Sequence, residues 1–230
     1  MPRDSPEPDR FKEDMAKALL AETIDSVVIT IPRHDTVYMA GDQADSIYFL
    51  QSGQVKLIMI SSEGKECMLA IHAAGDIFGE MCLADPGTRQ ETATAMEDIR
   101  LKEIPAGRFL QLLGRHSLLE GFIRYMAMRV ADQQQVIANL VTVDSEQRLG
   151  KTLLHLAGQL GEKDPKSVLI ELRISHEELA TMVGTTRPRI TMFMQRFRNL
   201  DLIDMSAEHY MIVKEKKLAA YLESIAPPTH

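Results

Sequence analysis

The pattern of apolar and polar positions changes its period along the chain. From Val27 to Ile104 apolar residues fall in short runs: Val27–Ile31, Ile47–Leu50, Val55–Ile60, Cys67–Ile71 and Arg100–Ile104. Turn formers separate them at Gly41-Asp42, Ser52-Gly53, Glu63-Gly64, Gly75-Asp76 and Pro86-Gly87. Runs so short and evenly punctuated predict the strands of a small antiparallel barrel or roll. Such a fold has a mouth or an internal pocket, which makes it a binding module before it is an enzyme. From Leu119 to Leu140 the spacing is different. Leu119, Ile123, Met126, Val130, Gln133, Ile137 and Leu140 alternate steps of four and three, the a/d seam of a two-helix coiled coil. This predicts a long helix that joins two domains and pairs two subunits. A single amphipathic helix packed on its own domain would show the same stripe. Gln133 is the polar member of the seam; an amide there fixes register or meets a ligand.

The flanking segments read as helices and a hairpin. Met1–Arg10, with Pro2, Pro6 and Pro8 among dense charge, is predicted to be disordered. Phe11–Leu20 and Pro105–Arg115 read as short helices, and His116 leads into the long one. Ser145–Leu160 places Leu149, Leu153, Leu156 and Leu160 on one face. Gly161–Lys166 reads as a loop and Val168–Leu172 as a short strand. Ser175 and Glu178 form an S-x-x-E capping box, so a helix starts there and runs to about Val183. Gly184 suits a left-handed turn. Thr185 or Thr186 then caps a second helix, with Pro188 tolerated in its first turn. Ile190, Phe193, Met194 and Phe197 form its buried stripe; Arg187, Thr191, Gln195 and Arg198 lie opposite. Leu202–Asp204 and Tyr210–Val213 flank a polar turn at Ser206–His209. Helix, glycine turn, basic helix and hairpin make a winged helix-turn-helix, although amphipathicity alone also fits an inert helical hairpin. The expected division is therefore a disordered terminus over 1–10, a roll over 11–115, a dimerisation helix over 116–142 and a winged helix-turn-helix over 143–226.

Composition narrows the function. The 230 residues are 45% hydrophobic and 26% charged, ordinary for a soluble globular protein. No apolar run reaches the length of a membrane span and the start is polar, so the expectation is a cytoplasmic protein with no membrane partner. Two cysteines, Cys67 and Cys82, are too few to ligate an iron–sulfur cluster and are expected to be reduced and packed. His34, His155, His176 and His209 show no metal spacing. No nucleophile with a base and no paired acids stand out, so no enzyme is expected. The net charge of −7 argues against nucleic acid. Its distribution argues the other way: Thr186–Leu200 holds four arginines and no acid, a local basic face sufficient for phosphate contact.

Three stretches carry a family resemblance: Ile47-Tyr48-Phe49-Leu50-Gln51-Ser52-Gly53-Gln54-Val55, Gly75-Asp76-Ile77-Phe78-Gly79-Glu80, and Ile174 to Ile203. In this order, around a long helix, they resemble the Crp/Fnr superfamily of bacterial transcription regulators, over about Ile24 to Leu222. The resemblance implies an α+β chain: an N-terminal cyclic-nucleotide-binding-like β-roll, a long dimerisation helix and a C-terminal winged helix-turn-helix. It implies a homodimer on double-stranded DNA, with RNA polymerase as a further partner. The phosphate cassette of that family looks like Gly79-Glu80-Met81-Cys82-Leu83 followed by Arg89-Gln90-Glu91-Thr92-Ala93-Thr94-Ala95, the last part an alternating strand. By the resemblance Glu80 would meet a ribose and Arg89 a cyclic phosphate, with Gly79, Gln90 and Gln133 close to the ligand, a cyclic nucleotide such as cyclic AMP. Members that bind cyclic AMP usually carry Ser-Ala or Ala-Ala where this chain has Gln90-Glu91, and Thr-Ser where it has Gln133-Gln134. Alternatives are a mutual Glu80–Arg89 ion pair, a ligand-independent regulator with an empty roll, or a regulatory module that docks to a protein. On the DNA side the resemblance puts Arg187, with Arg189, on guanine edges. Pro188 replaces a base-reading glutamate and Met192 a later arginine. Thr191 and Gln195 suit phosphates, and Arg196 and Arg198 have a bland reading as solvated surface charges.

Overall fold

A computed structural model describes residues 7–21, 27–85, 87–163, 168–170, 174–207 and 210–225. The chain forms two compact units, Met1–Gln134 and Gln135–His230. The first begins with α1 (Glu7–Ala21) and continues through β1 (Val27–Ile31), β2 (Thr36–Tyr38), β3 (Ser46–Ser52), β4 (Val55–Ile60), β5 (Glu66–His72), β6 (Ile77–Phe78), a single 3₁₀ turn (Glu80–Leu83), β7 (Thr92–Ala95) and β8 (Ile99–Pro105). Then come α2 (Ala106–Arg115) and α3 (Leu119–Thr142), whose last residues belong to the second unit. The strands form two four-stranded antiparallel sheets, ordered β1-β8-β3-β6 and β2-β7-β4-β5.

The expected disorder over Met1–Arg10 is corrected for 7–10, which open α1. Pro8 falls in the first turn, where its missing N–H has no intrahelical partner to lose. Residues 1–6, and Pro86 of the expected Pro86-Gly87 turn, lie outside the described residues. β1 and β4 match their predicted bounds. β2 and β6 were not predicted; at three and two residues they are too short to display a period.

Strand β3 organises the unit. It is buried along Ser46–Leu50 because its two faces enter two cores. Ile47 and Phe49 point to a cluster with Phe11 and Met15 of α1, Phe109 and Leu112 of α2, and Phe122 and Tyr125 of α3. Tyr48 and Leu50 point into the roll, with Tyr38, Leu57, Phe78, Ala93, Ile99 and Leu101. The period-two alternation of a strand produces this split.

The second unit holds α4 (Ser145–Leu160), β9 (Gly161–Lys163), β10 (Val168–Ile170), α5 (His176–Val183), α6 (Arg187–Asn199), β11 (Ile203–Met205), β12 (Met211–Val213) and α7 (Glu215–Ser224). Its sheet order is β11-β12-β10-β9. Gly161–Lys163 is thus a strand rather than the start of a loop, recruited by antiparallel pairing to Val168–Ile170; residues 164–166 of that loop, 171–172 of the expected strand and 208–209 of the hairpin turn lie outside the described residues. Asp144 caps α4 by accepting from the Glu146 and Gln147 amides at 2.9 Å each.

Candidate functional site

Two places gather the residues singled out above. The first is the turn between β6 and β7. Gly79 adopts φ 78°, a left-handed conformation natural to glycine, and from it Glu80 opens the 3₁₀ turn. Arg89 is buried. Its Nη1 donates to Gly79 O at 2.7 Å and its Nη2 to Ser46 O at 2.5 Å. The guanidinium lies 4.3 Å from the centroid of the Tyr38 ring, a cation–π contact. Tyr38 donates to the buried Glu91 at 2.8 Å. Burial first, then the charge of Glu91, raises the Tyr38 phenol; burial and then Glu103 push Tyr48 up to about 12. Both phenols therefore keep their protons. Tyr38, Tyr48, Phe78 and His72 form a stacked series, with neighbouring centroids 5.2 to 5.7 Å apart.

Glu80 pairs with Arg129 of α3 at 2.9 Å, not with Arg89, which corrects the mutual-pair alternative. Gln90 is exposed, its amide donating to Thr88 O at 3.2 Å; Gln133 is exposed on α3 in the single chain. Among the described residues, buried side-chain atoms without a partner are Gln51 Oε1, His72 Nε2, Glu80 Oε2 and Arg89 Nε. Half of these belong to the two cassette residues: one acceptor and one charged donor. A sugar hydroxyl and a phosphate oxygen have the complementary chemistry, so the residues fit a cyclic nucleotide at those two atoms. A cavity of about 460 Å³ opens elsewhere, between α1 and the roll, lined by Lys12, Leu19, Phe49, Gln51 and Lys102 among others. Cys82 is buried and Cys67 exposed, so only one of the two is packed as expected.

The second place is the pair α5 and α6. Ser175 and Glu178 form the predicted capping box: Ser175 Oγ accepts from the Glu178 amide at 3.1 Å, and the Ser175 amide donates to Glu178 Oε2 at 2.9 Å. Gly184 closes α5 at φ 68°, and Thr185 N donates back to Ala180 O at 3.0 Å. Thr186 is the N-cap of α6, without a side-chain hydrogen bond. Ile190, Phe193, Met194 and Phe197 are buried. Arg187, Arg189, Thr191, Gln195 and Arg198 are exposed. Arg196 is exposed but not a lone surface charge: its Nη1 meets Glu146 Oε2 at 2.6 Å, and Tyr221 donates to Glu146 Oε1 at 2.7 Å. This bond set ties α6 to α4 and α7 across sequence separations of 50 and 75 residues, which local patterns do not reveal. His176, which shows no metal spacing in the sequence, places Nδ1 2.9 Å from Thr191 Oγ1.

Residues 28–116 match the cyclic nucleotide-binding domain and residues 147–221 the Crp-like helix-turn-helix domain. The chain belongs to the Crp/Fnr superfamily. It is a DNA-binding transcription regulator of the Crp/Fnr type. It is 27% identical over 203 residues to the CRP-like cAMP-activated global transcriptional regulator of Mycobacterium tuberculosis, covering 88% of this chain and 91% of the relative. It is 29% identical over 204 residues to the global nitrogen regulator of Synechocystis sp., covering 86% and 89%. In fold the Crp/Fnr chain is similar to the c-di-GMP responsive global regulator CLP of Xanthomonas campestris, with TM-score 0.69, 23% identity, and 88% and 98% of the two chains covered. It is also similar to FixK2 of Bradyrhizobium japonicum, with TM-score 0.74, 14% identity and coverage of 90% and 100%. Among the described residues no helix is long and apolar enough to cross a membrane.

Proposed function

We propose that this Crp/Fnr chain acts in the cytoplasm as a homodimer on near-palindromic duplex DNA, by binding and not by catalysis. The two copies of α3 pair along Leu119, Ile123, Met126, Val130, Gln133, Ile137 and Leu140. The two copies of α6 enter successive major grooves about 34 Å apart. Arg187 and Arg189 read guanine edges through bidentate hydrogen bonds, and Thr191 and Gln195 hold phosphates. The observation that carries this reading is the division of α6, whose apolar stripe is buried while Arg187, Arg189, Thr191 and Gln195 are exposed. Bound to a promoter, the dimer meets RNA polymerase, as the family resemblance implies. A duplex-binding titration of the Arg187→Ala, Arg189→Ala double variant tests it. The expected result is a large loss of affinity; unchanged binding would leave docking to a protein as the better reading.

The roll is the regulatory domain, and its ligand is a cyclic nucleotide. Glu80 Oε2 accepts from a ribose hydroxyl and Arg89 Nε donates to a phosphate oxygen, with the exposed Gln90 and Gln133 at the periphery. What supports this is that both buried atoms lack a partner. The relatives do not select the nucleotide, because a cAMP-activated regulator and a nitrogen regulator stand at 27% and 29% identity. Ligand binding in the roll shifts how the DNA domains are held. Thermal midpoints with cyclic AMP, cyclic GMP and cyclic di-GMP decide the point: the cognate nucleotide raises the midpoint, and no shift with any of them favours a ligand-independent regulator.

A further inference from the structure

We propose that His176, together with Thr191, is a proton-linked contact for a DNA backbone phosphate, so that DNA affinity rises as pH falls. This rests on the DNA reading of α6 above. His176 is the first residue of α5, partly exposed, and its Nδ1 lies 2.9 Å from Thr191 Oγ1. Thr191 stands on the same exposed stripe of α6 as Arg187, Gln195 and Arg198. An imidazole therefore stands beside the row of groups that faces a phosphate backbone.

The direction of the His176–Thr191 hydrogen bond depends on protonation. In the neutral ring with Nδ1 bare, Thr191 donates its hydroxyl proton to Nδ1 and has none to give a phosphate. In the other neutral tautomer Nδ1–H donates to Thr191, but Nε2 presents a lone pair that repels an anion. Only the doubly protonated ring does both at once: Nδ1–H donates to Thr191 Oγ1, which leaves the threonine hydroxyl free to donate, and Nε2–H is a charged donor. From either neutral tautomer one proton supplies the missing donor, the Thr191 hydroxyl or Nε2–H, and sets a positive charge beside the phosphate.

Among the described residues, the charges that bear on the ring are Arg187 and Arg198, both from α6. Its own helix brings Glu177 and Glu178, the latter engaged by Ser175. From α4, also packed on α5, Arg148 Nε turns to Val183 O at 2.9 Å and Glu146 to Arg196. Burial first, then the two arginines, hold the free imidazole below the ordinary histidine range. A phosphate offsets that repulsion. The complex then takes up a proton, and affinity rises as pH falls through the bound-state value until the free protein is itself protonated.

Phosphate contacts do not depend on sequence, so a fluorescein-labelled random-sequence duplex of about 30 base pairs serves as the probe. Anisotropy titrations run from about pH 5.5 to 8.5 at constant ionic strength. One proton per protomer gives up to about tenfold in affinity per pH unit for each protomer engaged. His176→Asn is expected to remove that part of the slope. His176→Arg, with its fixed charge, is expected to flatten it while binding more tightly than wild type at the alkaline end. Thermal unfolding of both variants separates this from loss of fold. If the three pH profiles superimpose while Arg187→Ala, Arg189→Ala loses affinity, the proton linkage is wrong and the DNA reading stands. If that double variant also binds unchanged, the DNA reading fails and this inference with it.

Discussion

Glu80 and Arg129 meet at 2.9 Å, which fastens the first turn of the cassette to the long helix. Arg129 also donates to Ile77 O at 3.2 Å, and its guanidinium lies 5.8 Å from the Tyr125 ring centroid. The two side chains are 9% and 18% exposed for Glu80 and Arg129, so this is a largely desolvated pair. Removing one partner of such a pair strands the other charge, at a cost of about 3–5 kcal/mol. Arg129→Ala is expected to lower the unfolding free energy of the first unit in urea by that amount, and Arg129→Met, which leaves the same orphan but keeps more packing, by somewhat less. A loss under about 1 kcal/mol would mean that Glu80 is hydrated rather than held by Arg129.

Asp76 gives the same unit an acid limit. It accepts from the Ala73 amide at 2.9 Å, faces His72 Nδ1 at 3.6 Å and Lys12 Nζ at 2.6 Å, and lies 3.4 Å from the Tyr125 hydroxyl. Burial alone would raise its carboxyl, but the His72 hydrogen bond and charge, then Lys12, hold it well below the usual carboxylate range. A depressed carboxyl contributes stability that is complete above its unfolded value, about pH 4, and is lost as pH falls toward the folded value. Urea midpoints are therefore expected to drop below about pH 4, and Asp76→Asn to be less stable at neutral pH with a shallower acid slope. Parallel acid limbs for the two proteins would assign the drop to other carboxylates.

What was legible in the sequence was what is decided locally. The Ser175–Glu178 capping box and the Gly184 turn involve neighbours in the chain, and α4 matches its predicted bounds, Ser145–Leu160, because its leucines repeat along one face. The Tyr38–Arg89–Ser46 contacts, the Glu80–Arg129 pair and the Arg196–Glu146–Tyr221 set join residues far apart in sequence. Charge and size alone give Arg89 and Arg196 no visible partner. Arg89 stands out through the family cassette, and its bonds to two backbone carbonyls come only from the fold. His176 offers the sequence nothing beyond a missing metal spacing; its contact to Thr191 forms only when α5 and α6 pack.

Gly79 and Gly158 separate the two reasons a glycine can matter. A Cβ on Gly79 would stand 2.9 Å from Arg89 Nη1 and 3.1 Å from a Tyr48 ring carbon, on a backbone at φ 78°. Arg89 has little freedom to give way, because both terminal nitrogens are committed. The left-handed backbone alone costs about 1–2 kcal/mol, and the contact adds to it. Gly158 lies exposed within α4, and a methyl group placed there would meet nothing within 4 Å. There alanine removes only backbone freedom from the unfolded chain and is expected to stabilise by about 0.4–1 kcal/mol. Thermal midpoints should move in opposite directions for Gly79→Ala and Gly158→Ala; a neutral Gly79→Ala would mean that the cassette turn is slack.

The stripe on α3 makes the last prediction. Leu119, Ile123, Val130, Ile137 and Leu140 are 47 to 62% exposed in the single chain, although the same helix buries Phe122 and Tyr125 against the roll. The helix thus buries Phe122 and Tyr125, with Met126 packed beside them, and leaves these five a/d positions exposed, the face on which the proposed pairing rests. Ile137→Glu would set two carboxylates against each other in a parallel pair and is expected to shift sedimentation from dimer to monomer at micromolar concentration. Gln133→Leu works the other way. An unpartnered amide in an apolar seam costs about 1–3 kcal/mol to desolvate, and leucine removes that cost from both subunits, so the dimer dissociation constant is expected to fall at least about tenfold. An unchanged constant would place Gln133 outside the seam. A rise would show that the two glutamines satisfy each other across it, fixing register by a hydrogen bond that leucine cannot replace.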